Sequence, residues 1–379
     1  MTRMANTYSW NAGSGDWTVA GDWSPTSGPP TTGDTAILAG SGTYTVSVGS
    51  TDNDNAGFVT LDNAGATLDI LGNLNVGTGV GGEGIAGNNS GTLTLTAGTL
   101  IIDHSGGTSG KLRFATVLDQ GGSVDFAGGV LGNVIWQGAL DLSAAGAAVK
   151  VAIQGSNPSA SESGEAGLEV LNAAGNAAGT VDLTGAASHL AFLDYQTFSN
   201  ATIDIGASAL SAGNAAYLNV AASTGNGSGS GPSSVTLDTS VSVISSGANI
   251  YAAIVMNAAN DTLVNKGTIL AEASGGVFFT NGAIANQGTI AVSNGDTFKI
   301  SAGTLTNTGT ITTDSTATFE VFGTLAAQGG AIVSGANAFL AESGGDIVGF
   351  GALGGNFSVD GQMEASGGML AVSGSIGTI

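Results

Sequence analysis

The sequence predicts an all-β fold, a parallel β-helix of stacked windings made from short strands. Three observations predict it. Three nearly identical heptapeptides, LVNKGTI at 263–269, IANQGTI at 284–290 and LTNTGTI at 305–311, recur at a spacing of 21. Apolar and polar residues alternate in the stretches between them, as in TFKIS and TFEVF, which marks strands with one buried face. The composition, with 65 Gly, 42% hydrophobic and 9% charged residues in 379, describes short strands and tight turns rather than collagen or a disordered tract.

A unit of 21 residues with two or three strands closes no core alone. Stacked on its own copy it can, because each strand pairs with its counterpart at about 4.8 Å and like residues lie over like. On this reading Ile269, Ile290, Ile311 and Ile332 fill one interior column. Asn265, Asn286 and Asn307 form a side-chain ladder, Gly267, Gly288 and Gly309 permit corners with positive φ, and the period continues once more through Gln328, Gly330 and Ile332. A second core column reads as Val277, Phe298, Phe319 and Leu340, and a third as Phe279, Ile300 and Val321.

Earlier segments repeat the strand grammar less regularly, with ATLDILGNLNVG at 66–77 and GTLTLTAGTLII at 91–102. Residues 51–379 therefore read as β-solenoid at 21–25 residues per winding, with loop excursions near 156–167 and 223–234. Residues 1–50 hold Trp10, Trp17 and Trp23 and three of the five Pro, and read as a cap. A first winding exposes a sheet edge and an open core, which large aromatics cover.

The Trp block, followed by Pro29–Pro30 and GDTAIL, resembles the opening segment of bacterial secreted β-solenoid proteins, the autotransporter-passenger-like and large repeat adhesins. The NKGTI, NQGTI and NTGTI turns are similar to theirs. The resemblance extends over nearly the whole chain but is one of style, and no residue in it marks an activity. It implies a right-handed, three-faced helix at the bacterial surface or outside the cell; from the sequence, handedness follows only from the general preference for right-handed crossovers. Neither a membrane-anchoring barrel nor a glycine-aspartate calcium nonapeptide is written here, so the export route is open.

Six Lys and Arg against 28 Asp and Glu leave a net charge of −22, which opposes nucleic acid and anionic membrane surfaces as partners. With no Cys, disulfide and thiol chemistry are excluded. No apolar run reaches the roughly 18 residues of a transmembrane helix. MTRMANTYSW lacks the apolar core of a cleavable signal, so the export signal is expected elsewhere or the chain is a segment of a longer one.

Candidate sites are few. DNDNAG at 52–57 opens like a calcium loop, with Asp52, Asp54 and Gly57 in place, but Ala56 and Asn63 stand where ligands belong, so an ordinary turn is expected. His104 and His189, without Cys, do not make a zinc site. Glu162 and Glu165 are read as solvated loop charges rather than a hydrolytic pair. The Gly-rich stretches 77–82 and 225–231 lack the Lys of a phosphate loop. Lys111 and Arg113 alternate on one strand face with no acidic partner evident in sequence.

No catalytic, cofactor or metal residue is therefore assigned. The expected function is that of a non-enzymatic extracellular structural or adhesive protein, stacking end to end because 370–379 reads as uncapped interior strand. The alternative is a glycan-binding or polysaccharide-degrading β-helix, of which glycan binding calls for exposed aromatics on one sheet face.

Overall fold

The computed structural model describes residues 4–77, 91–104, 109–153, 167–193, 195–208, 212–221, 233–335 and 339–377. Among them the chain is all-β, with short 3-10 turns at Ala20–Asp22 and Ala212–Asn214 and no α-helix. Among the described residues no helix is long and apolar enough to cross a membrane. The chain divides into two compact units, Met1–Leu142 with Ala147–Val181 and Ser143–Gly146 with Asp182–Ile379. The 156–167 excursion with Glu162 and Glu165 lies almost wholly outside the described residues, as do most of 223–234 and of the Gly-rich 77–82.

The first unit consists of three sets of strands, each set pairing in parallel with its own later members. One set runs Thr35–Leu38, Phe58–Leu61, Gly91–Leu95, Ala115–Asp119, Val134–Gln137 and Leu168–Leu171. A second begins Tyr44–Val48, Ala66–Ile70, Thr99–Asp103. The third runs Asn53–Ala56, Asn73–Val76, Lys111–Arg113, the end of Ser123–Gly132, and Ala148–Ala152. Register keeps apolar over apolar. Val59, Leu93, Val117, Trp136 and Val170 are successive partners, none more than 1% exposed.

The tryptophans close one edge of the first set. Thr7–Trp10 pairs in parallel with Thr35–Leu38, but on its other side it meets Trp23–Ser24 antiparallel, which ends the parallel run. Trp10, Trp17 and Trp23 are at most 3% exposed. Trp23 stands edge-on to Trp10 at 5.0 Å and to Trp17 at 4.9 Å, the preferred geometry for ring quadrupoles. The expected cap of 1–50 is too long. Thr35–Leu38 and Tyr44–Val48 alternate buried and half-buried residues and pair in register with the next strands of their sets. The atypical segment ends before Thr35.

The second unit also has three parallel sets. The first passes through Gln196–Phe198, Ser234–Leu237, Thr262–Asn265 and then 283–286, 304–307 and 324–327. The second passes through Ala201–Ile205, Ser242–Ser245, Thr268–Ala271, Thr289–Val292 and Thr310–Thr313. The third passes through His189–Leu193, Ala216–Ala221, Ile250–Met256, 277–281, 297–300, Thr318–Val321 and Phe339–Ala341. In the second set Ile269, Ile290, Ile311 and Ile332 are successive partners, each 0% exposed.

The second expected column requires correction at both ends. Phe298 and Phe319 are buried partners, but Phe298 pairs with Phe278 and Phe319 with Phe339, while Val277 and Leu340 lie one residue off and are half-buried. The column is Phe278, Phe298, Phe319, Phe339 and Phe357, with ring centroids 4.2–5.4 Å apart. The third column likewise contains Thr280, not Phe279, beside Ile300 and Val321. At the Phe278 end the cause is a bulge: Thr280 pairs with Ile300 but Asn281 with Ala302, so one residue is extra; at the other end Phe319 and Phe339 pair at a separation of 20, so the spacing of 21 does not hold along every strand. A slip of one residue turns a side chain to the opposite face.

Candidate functional site

The repeated asparagines form the most regular polar feature. Asn265, Asn286 and Asn307 are 0% exposed. Nδ2 of Asn265 donates to Oδ1 of Asn286 at 2.8 Å, and Nδ2 of Asn286 to Oδ1 of Asn307 at 2.7 Å. Each amide also donates to a carbonyl beyond it, Thr289, Thr310 and Ala331 in turn. The ladder stops there: Ala327, not Gln328, is the partner of Asn307, and Gln328 is exposed. At the other end Asn265 Oδ1 is buried without a donor, over Leu237.

The glycines of the heptapeptides have a different role from the one expected. Gly267, Gly288 and Gly309 are not at positive φ. A Cβ at Gly288 would run into the carbonyl oxygen of Gly267, and one at Gly309 into that of Gly288. Close backbone approach excludes any side chain there, whatever the dihedral.

Buried aspartates clip turns to earlier strands. Asp34 Oδ2 accepts from Thr31 N and its Oδ1 from Asn6 N, both at 2.9 Å. Asp261 repeats this with Ala258 N at 2.9 Å and Ser233 N at 2.8 Å. Asp296 accepts from Ala273 N, Thr297 N and Ser245 Oγ, and burial pushes its pKa up to about 6 against those hydrogen bonds. These acids satisfy backbone donors. Within DNDNAG, Asp52 closes a turn with Gly49, Asn53–Ala56 is strand, and Asp54 is aligned with the inward Leu74. Its pKa is pushed up to about 6 by desolvation and then by Asp52 and Asp16.

The outer faces carry what remains for recognition. In the second unit's third set, the row through His189, Tyr217, Ala253, Phe279, Lys299, Glu320 and Leu340 points away from the Phe column. His189 stacks on Tyr217 at 4.7 Å with an interplanar angle of 8°, and Tyr217 meets Phe279 edge-on at 6.4 Å. Desolvation lowers the His189 pKa, so its ring is neutral at pH 7. Lys299 pairs with Glu320 at 3.5 Å and lies 4.0 Å over the Phe322 ring. Sequence reasoning missed this row because it assigned Phe279 to the core. The signal was present in the alternation of VFFT, once Phe278 is taken as the inward residue.

A cleft of about 200 Å³ in the same unit is lined by Thr184, Asp204, Ser208, Ser246, Ile244 and Ile250 among others. Asp204 is its single carboxylate, and burial raises its pKa. His104 lies in the first unit, exposed, with Nδ1 2.6 Å from Ser109 Oγ. Among the described residues no group of three or more His, Asp and Glu gathers closely enough to hold a metal ion. No known family model matches the chain, and no curated protein is similar to it.

Proposed function

We propose that this chain is a right-handed parallel β-solenoid acting as a non-enzymatic structural or adhesive protein at the bacterial surface or in the extracellular matrix. The observation that carries the reading is like-on-like parallel pairing in three strand sets within each unit, with polar side chains spent on ladders and turns. Such pairing makes a stiff scaffold, and stiffness is what a projecting or matrix-forming protein needs. The acidity fits the same role, since a net charge of −22 keeps a Gly-rich surface soluble. End-to-end stacking belongs to the proposal because an unpaired strand edge is a template for another.

A second reading, glycan binding without catalysis, is favoured by the outward row of His189, Tyr217 and Phe279. One preparation tests both readings. Electron microscopy of the purified chain is expected to give narrow rods or filaments, and a panel of neutral and acidic polysaccharides is expected to show no turnover. Compact particles, or turnover of any polysaccharide, would refute the structural reading. Polysaccharide binding lost in Tyr217→Ala without turnover would select the second.

A further inference from the structure

Three of the chain's six Lys and Arg residues gather on one surface of the first unit. Lys111 pairs with Asn73 on one side and Val130 on the other, Arg113 with Asn75 and Gly132, and Val130 in turn with Lys150. Lys111 and Lys150 therefore share a column about 9.6 Å apart, and Arg113 lies about 6.6 Å along the strand from Lys111. The alternate positions Leu74, Leu112, Leu131 and Val151 are all 0% exposed, so the cations project from the opposite, outer face. Lys150 Nζ donates to Ser109 Oγ at 3.3 Å, which brings His104 to the margin of the cluster.

This face is not an ordinary solvated one. Lys111 is 7% exposed, and Nε of the half-buried Arg113 is shielded from water without a hydrogen-bond partner. Neither cation is in an ion pair with a carboxylate among the described residues, although the chain has 28 Asp and Glu. Lys299 shows the alternative, being matched to Glu320. Desolvation lowers the pKa of both Lys111 and Arg113, and Arg113 lowers that of Lys111 further. Adjacent like charges withdrawn from water without a counter-charge are unfavourable. An anion between them reverses the balance. A guanidinium fork matches two oxygens of a carboxylate, sulfate or phosphate, and an ammonium adds a point charge beside it.

We infer that Lys111, Arg113 and Lys150 form a binding site for an oxyanion, the carboxylate, sulfate or phosphate group of a small ligand. The site stands independently of the adhesive reading. The net charge of −22 repels long polyanions, so the occupant is a small anion or a sugar with one isolated acid group.

The test is calorimetric titration of the full chain at low ionic strength with inorganic phosphate, sulfate and galacturonic acid. Saturable binding of at least one probe is expected, weakened about tenfold or more by Arg113→Gln and by Lys111→Met. Lys299→Met, which alters a cation already paired, is expected to leave it unchanged. Binding of galacturonate alone assigns a sugar carboxylate, and binding of phosphate or sulfate assigns the inorganic ion. Without anion, Lys111→Met is expected to melt no lower than the parent chain, because it removes an unmatched charge. No saturable binding of any probe, equal binding by all three variants and the parent, or a lowered melting temperature for Lys111→Met would overturn the inference.

Discussion

Asn286 and Phe298 occupy comparable places in the repeat, yet they stabilise it by different means. Asn286 accepts from Asn265 and donates to Asn307 and to the Thr310 carbonyl. Asn286→Ala leaves buried amide groups on both neighbours short of a partner, at a cost of about 1–3 kcal/mol. Phe298 lies between Phe278 and Phe319 at 5.4 and 5.0 Å. Phe298→Ala opens a cavity in the ring stack and costs about 3–5 kcal/mol. Denaturant unfolding measures both. Negligible losses at both positions would contradict the ladder and the stack together. Val277→Ala is the matched control: Val277 is half-buried and outside the column, so its loss is smaller.

At the scale of elements, the strand Gln362–Gly377 is paired along one edge. It pairs in register with Asp346–Val359, and among the described residues no second strand is in register with it. Met369 and Ile376 are 79% and 55% exposed. Long uncovered edges recruit another strand, and an inward-pointing charge is a common way of blocking that. Val372, the partner of the buried Leu353, is the position for such a charge. Light scattering of the parent chain is expected to show size rising with concentration, and Val372→Lys is expected to suppress the rise. A size independent of concentration in both would remove association through this edge. The opposite arrangement is seen at Trp23–Ser24, where an antiparallel strand and a buried Trp cluster close the sheet.

For the whole molecule, acidity governs the pH response. Five carboxyls, Asp54, Asp69, Asp119, Asp204 and Asp296, have pKa values raised chiefly by burial, two of them to about 6. From about pH 4 to about pH 6 the folded chain retains protons that the unfolded chain has released, so stability falls as pH rises through that window. Relief of repulsion among the chain's excess negative charges acts in the same direction on acidification. His189, with its lowered pKa, opposes this below about pH 6.5, but it is one group against five. Asp314, held down to about 2 by hydrogen bonds from Asn294, Thr316 and Ala317, loses its contribution as pH falls from about 4 towards 2. The melting temperature is therefore expected to peak near about pH 4–5 and to be lower at pH 7. A maximum at pH 7 or above would refute it, and Asp296→Asn is expected to flatten the fall between pH 5 and 7.

The sequence by itself determined that this is an all-β chain, that its repeats pair like with like, and that Ile269, Ile290, Ile311 and Ile332 share a column. Period-2 alternation and a recurring heptapeptide are local signals, and stacking identical units turns them directly into contacts. Only the tertiary structure decided the rest. A bulge beyond Thr280 shifted the aromatic column to Phe278 and turned Phe279 outward, because a one-residue slip reverses a strand's faces, and a separation of 20 rather than 21 between Phe319 and Phe339 did the same to Leu340. The glycine column proved to serve close approach of carbonyls rather than positive φ, a difference that depends on the neighbouring strand and not on the glycine. Lys111 and Arg113 were legible as neighbours on one face. That Lys150, 39 residues later than Lys111, joins them came from the pairing of Val130 with both, and no local pattern carries a register across so many residues.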